Sequence, residues 1–150
     1  GIDATGGVIQ TVGTAGVPNS DGEGSMFFNT TSGTTPNPKL DWQNIKITGN
    51  VVTNLKPMTS GPWKGILFFE GRNAPKQPPG NMLVGTAGST FDGFLYFSAT
   101  DLTFGGNTSV GGWSGIIADR ITFQGNVNIT GPPFDEISDE TELRTVMLLE

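Results

Sequence analysis

The chain has 150 residues, 23 of them Gly, with 15% charged residues and a formal net charge of −6. One hydrophobic core of ordinary size serves such a length, and 8 Lys plus Arg are too few for the phosphate-binding footprint of a nucleic-acid partner. Cys and His are both absent, which excludes a disulfide framework, the commonest metal ligand and the commonest base at neutral pH. No run approaches the roughly 18 apolar residues that span a bilayer.

Two kinds of strand alternate along the chain. The first, type A, has apolar residues at every second position and ends in Gly-Asn or a similar turn. Its clear examples are Ile45-Lys46-Ile47, Leu102-Thr103-Phe104 and Ile121-Thr122-Phe123. Period-2 alternation is the mark of a half-buried strand. Weaker type A segments are expected from Val8 to Gly13 and from Met82 to Gly85, each leading into Val-Gly-Thr-Ala-Gly (12–16 and 84–88). Type B is a Gly followed by a near-continuous apolar run: Gly24 to Phe28, Gly65 to Phe69, Gly93 to Phe97 and Gly115 to Ala118. Such runs predict strands covered on both faces.

The order is therefore A, B, A, B, A, B, A, B, A, with 19 residues from Leu102 to Ile121 and 22 from Gly93 to Gly115. A near-constant period with insertions at one place per repeat predicts a solenoid. The expected fold is all-β: a right-handed parallel β-helix of four to five rungs. Stacking at about 4.8 Å would align like side chains into columns. Ile45, Leu102 and Ile121 would share one column, and Ile47, Phe104 and Phe123 would continue the apolar ladder. Gly and Asn adopt φ > 0 readily and suit the corners, where Asn50, Asn107 and Asn126 are candidates for an Asn ladder.

The whole chain, 1–150, forms one solenoid domain in this reading. Residues 1–44 hold irregular rungs and loops, 45–131 the regular rungs, and 132–150 an acidic capping segment. Residues 134–142 carry five acids, and the apolar run Leu143 to Leu149 follows. A solenoid end exposes an unpaired edge that needs cover, so this tail is expected to fold back as a cap. The conspicuous loop is Gly71 to Gly80. Loops projecting from a solenoid edge carry binding, and Gly71, Arg72, Asn73, Lys76 and Gln77 are the candidate partner-binding residues.

Carboxylate placement singles out the catalytic candidates. Glu70 with Arg72 and Asp119 with Arg120 read as local surface pairs, and Asp92 and Asp101 lie at opposite ends of one type B strand. Glycosidic chemistry needs two carboxyls facing each other across a substrate, and no spacing here requires that. Asn19 to Glu23 only loosely resembles a calcium loop, so no metal or cofactor is expected. Trp63, Phe91 and Trp113 occupy equivalent places before type B strands and are expected to form a stacked column rather than a sugar platform, while Trp42 is expected to fill a corner. Gly105-Gly106 lacks the downstream Lys of a phosphate loop.

The phrases Gly65-Ile-Leu-Phe-Phe-Glu-Gly-Arg72, Gly93-Phe-Leu-Tyr-Phe97, Asp101-Leu-Thr-Phe-Gly-Gly-Asn107 and Ile116-Ile-Ala-Asp-Arg-Ile-Thr-Phe-Gln-Gly-Asn126 resemble the C-terminal region of bacterial TadE/TadG-like proteins of Flp (tight-adherence) pilus assembly. The resemblance covers residues 45–131. It departs from the family where Ser114 stands in place of a frequent Cys. It implies a non-catalytic structural or interaction domain of an envelope protein, periplasmic or extracellular, anchored by a membrane helix upstream of residue 1. An unidentified envelope or pilus-associated protein would be its partner, with no nucleic acid. The alternatives are a carbohydrate-binding or carbohydrate-cleaving β-helix, as lyase or hydrolase, and a self-assembling solenoid scaffold.

Overall fold

The computed structural model describes residues 1–11, 24–31, 42–110 and 114–131. Within these the chain is all-β, with no helix: β1 (Ile2–Gln10), β2 (Phe27–Asn29), β3 (Ile45–Leu55), β4 (Ile66–Glu70), β5 (Asn81–Phe91), β6 (Phe94–Val110) and β7 (Gly115–Ile129). Every pairing is parallel. Two ladders run side by side, β1-β3-β5 and β2-β4, and both meet on β6. The first residues of β6, Phe94 to Tyr96, pair with β4, while Leu102 to Ser109 pair with β5. β7 then follows β6 from Phe94↔Gly115 to Val110↔Ile129. One continuous sheet thus curls around its own inner face.

The alternation read in the type A segments explains the register. Ile47, Leu83, Phe104 and Phe123 align through successive pairings. Leu102 stands opposite Ile121, and Ile2 opposite Ile45. Between Ile45 and Leu102 the column passes through Asn81, whose Oδ1 accepts the Ile45 N–H at 2.8 Å. The column expected to be wholly apolar therefore has one polar member. The type A segment expected at Val8 lies earlier: Ile2-Asp3-Ala4 is the true counterpart of Ile45-Lys46-Ile47. Residues 12–16, the first copy of the pentapeptide, lie outside the described residues.

Long strands bend at glycines. Gly49 (φ 70°), Gly106 (φ 85°) and Gly125 (φ 81°) adopt the left-handed region closed to most L-residues. Gly85, Gly106 and Gly125 also stack in register, so closely that a Cβ on Gly106 would sit 2.0 Å from the Gly85 carbonyl oxygen. Asn126 donates to Asn107 Oδ1 at 3.2 Å. The Asn ladder stops at two members, because Ile47↔Leu83 and Asn54↔Thr90 share one register that carries Asn50 opposite Thr86.

The core lies inside the curl. Ile45, Ile47, Val51, Leu55, Leu83 and Phe104 from the first ladder meet Phe68, Leu95 and Phe97 from the second. Phe68 joins the two, with ring centroids 6.4 Å from Phe91 and 6.1 Å from Phe97. Each such buried side chain stabilises by about 1.5–3 kcal/mol. Phe91 also packs edge-on to Phe104 at 5.7 Å, so it belongs to the core. Trp63 instead rests on Phe69; the expected Trp63–Phe91 stack does not form, and Trp113 lies outside the described residues. Trp42 is fully buried and donates to Asn44 Oδ1 at 3.2 Å, as a corner filler does.

At β7 the inner column comes to the end of the described sheet, and Phe123 is 54% exposed. The acidic segment 132–150, expected to act as a cap, lies outside the described residues.

Candidate functional site

Type B runs are apolar on both faces, but among the described residues their outer face is only partly covered, not buried as the sequence led one to expect. Phe68, Leu95 and Phe97 point into the core, so the intervening Phe69 and Tyr96 point out. Register sets Phe28 opposite Phe69, Phe69 opposite Tyr96, and Tyr96 opposite Ile117. The result is an outward ladder of four large side chains, with Phe28 57% and Ile117 49% exposed. Phe69 and Tyr96 stack at 4.8 Å with an interplanar angle of 12°, and Phe28 lies 5.6 Å from Phe69. Trp63, 45% exposed, meets Phe69 edge-on at 5.7 Å.

This geometry sets which parts of the rings face outward. Phe69 and Tyr96, stacked at strand spacing, spend their facing ring surfaces on each other and offer edges to a partner. A sugar packs its C–H groups against an open ring face, whereas apolar and aromatic side chains accept ring edges in T-shaped contacts.

The 71–80 loop borders β4 and is held to the body at several points. Gly71 N–H donates to Asn29 O (2.8 Å), Asn44 Nδ2 donates to Gln77 O (3.0 Å), and Gly80, φ 87°, is buried against Asp101. Lys76 makes an ion pair and hydrogen bond with Asp119. Asp119 was expected to pair with Arg120; a local neighbour loses to Lys76 because the loop folds back over β7. The Lys76 hydrogen bond and charge hold the Asp119 carboxyl below its ordinary value, with Arg120 and Asp101 adding smaller effects in the same direction. Arg72 and Asn73 remain exposed. Of the five candidate loop residues, these two are free to meet a partner through their side chains, Gly71 and Gln77 anchor the loop, and Lys76 is engaged.

Glu70 does not form the expected turn pair with Arg72. Strand alternation points it inward, fully buried, where Asn81 Nδ2 donates to Oε1 at 2.8 Å and the Thr100 hydroxyl donates to Oε2. Asn81 Nδ2 also lies 2.8 Å from Thr100 Oγ1. Burial pushes the Glu70 carboxyl above its ordinary value, and the two hydrogen bonds pull only partly against this. Asp92 lies just before β6 and Asp101 within it, after the segment that pairs with β4. Asp101 instead comes beside Asp119. Among the described residues no three Asp or Glu side chains cluster as metal ligands do. Asn19 to Glu23 lies outside them.

The sequence reading missed the outer ladder, although its signal was present. Type B runs carry apolar residues at both parities, and only an exposed strip or a second covering layer accounts for the outer set. No family model, curated protein or solved structure matches this chain.

Proposed function

We propose that the chain is a non-catalytic interaction domain of a bacterial envelope-anchored, pilus-assembly-associated protein. In this reading it is a right-handed parallel β-helix of four to five rungs. Parallel strands joined by crossovers are almost always right-handed, and the alternation of the two ladders along the chain supports successive coils. The envelope and pilus assignment rests on the TadE/TadG-like phrases of residues 45–131. The rigid sheet serves to hold the outer strip, with Arg72 and Asn73 at its border, in fixed shape for an envelope protein.

The observation that carries the reading is the outer ladder of exposed Phe28 and half-buried Phe69 and Tyr96, with exposed Trp63 beside it. Exposed apolar strips on a rigid scaffold are typical of protein contact surfaces. The carboxylates a carbohydrate-cleaving reading would use have other roles here, Glu70 in the buried corner and Asp119 with Lys76. Stacking of Phe69 on Tyr96 weighs against a sugar platform for the same strip.

The test is photo-crosslinking in living cells, with benzoyl-phenylalanine placed at Tyr96 and, as control, at Thr122. The expected result is a discrete protein adduct from position 96 only. Adducts with glycan at 96, or turnover of a polysaccharide that is abolished by Glu70→Ala or Asp119→Ala, would overturn the proposal.

A further inference from the structure

Among the described residues, the buried corner around Glu70 joins four strands without using any opposite charge. Glu70 belongs to β4, Asn81 to β5 and Thr100 to β6, and the Ile45 N–H at the start of β3 closes the set through Asn81 Oδ1. All four residues are at least 99% buried. The side chains that touch the carboxyl, Asn81 and Thr100, are neutral, and so is Asn29, its register partner on β2. The charged residues nearby in sequence point elsewhere. Asp101 stands with Asp119 and Lys76 outside, and Arg72 is exposed. Among the described residues the only ion pair is Lys76 with Asp119.

We propose that the Glu70 corner is a proton-operated fastener: protonated, it holds β3, β4, β5 and β6 together, and deprotonated, it places an uncompensated charge inside the sheet and loosens it. A neutral carboxyl can accept from Asn81 Nδ2 at one oxygen and donate to Thr100 Oγ1 from the other, with the Thr100 hydroxyl turning from donor to acceptor. An ionised carboxyl keeps its two donors but loses hydration that neutral amide and hydroxyl groups replace only in part.

The direction follows from linkage. Burial raises the folded-state value of Glu70 above the unfolded one, so the folded protein binds more protons across the interval between them. Stabilisation from this corner is complete below the unfolded value and declines as pH rises through the interval. It then stays flat above the folded value. Within the interval the folding equilibrium constant falls by up to tenfold per pH unit. Acidification thus tightens the sheet at this point, opposite in sign to an ion-paired carboxylate.

The experiment is urea unfolding of the full chain and of Glu70→Gln, from pH 4.5 to pH 8. The variant keeps the shape and both partners but cannot ionise. The ratio of variant to wild-type folding constants should grow with pH, by up to tenfold per unit, until it levels off. Parallel curves for the two proteins would overturn the proposal, as would a wild type that gains on Glu70→Gln toward pH 8. If Glu70→Gln does not fold, carboxyl carbon NMR of the wild type reads the same group directly. One of the six Glu carboxyls should then titrate above the ordinary glutamate range, and the proposal fails if all six titrate within it.

Discussion

Two glycines with the same backbone angle separate conformational strain from the stacking of coils. Gly88 and Gly106 both have φ +85°, but nothing lies within 4 Å of a Cβ built on Gly88, whereas one on Gly106 would sit 2.0 Å from Gly85 O. Substituting Ala at either position incurs the left-handed conformational cost, about 1–2 kcal/mol. At Gly106 the methyl must also move more than 1 Å to reach ordinary contact at 3.4 Å. Backbone blocks it, so β5 and β6 must part at the corner and lose ladder hydrogen bonds worth about 0.5–1.5 kcal/mol each. Gly88→Ala should therefore cost about 1–2 kcal/mol and Gly106→Ala about 3–5 kcal/mol. Urea titration gives both values. In thermal melts a gap of about 2 kcal/mol should appear as about 4–8 °C, at roughly 2–4 °C per kcal/mol for this chain length. Equal losses at the two sites would refute close packing of successive glycine corners.

Three further outcomes follow from the geometry. Phe104→Ala, in the middle of the core, should destabilise by about 3–5 kcal/mol, while Phe123→Ala in the same column should cost under about 1 kcal/mol because that ring is largely exposed; equilibrium unfolding distinguishes them. Asn81→Ala should cost about 2–4 kcal/mol, since the Ile45 N–H and Glu70 lose a partner inside the sheet, and amide exchange at Ile45 should accelerate. Asp119→Asn should leave the urea midpoint at neutral pH unchanged, because the Lys76 pair is solvent-exposed. Its carboxylate lies below its ordinary value when folded, so any contribution exists above the unfolded value and disappears only as pH falls through the folded one.

Much of the architecture was legible in the alternation of Ile45-Lys46-Ile47, Leu102-Thr103-Phe104 and Ile121-Thr122-Phe123, because a period of two fixes which side chains share a face. Spacing between copies gave the parallel register of β6 on β7, down to Asn107 on Asn126. The true first member, Ile2-Asp3-Ala4, was hidden because Ala4 carries little hydrophobic signal and Val8-Ile9 carries more. Glu70 was misread for a similar reason. Next to Gly71 and Arg72 it looks like a turn residue, and only the parity running from Phe68 places it inside. Its partners Asn81 and Thr100 lie 11 and 30 residues away, beyond any local pattern. The Lys76–Asp119 pair spans 43 residues and depends on the loop's return path, which composition does not encode. The outer ladder required the register of three separate pairings before it became a strip.

A designed disulfide tests the stacked parallel coils most directly, since the native chain has no Cys. Thr103 stands opposite Thr122, whereas Asn128 stands opposite Ser109. Neighbouring strands lie about 4.8 Å apart, within the Cα separation a disulfide tolerates. Mild oxidation should close Thr103→Cys/Thr122→Cys nearly completely and leave Thr103→Cys/Asn128→Cys reduced. A reduced first pair, or equal closure of both, would contradict the parallel register on which the whole account stands.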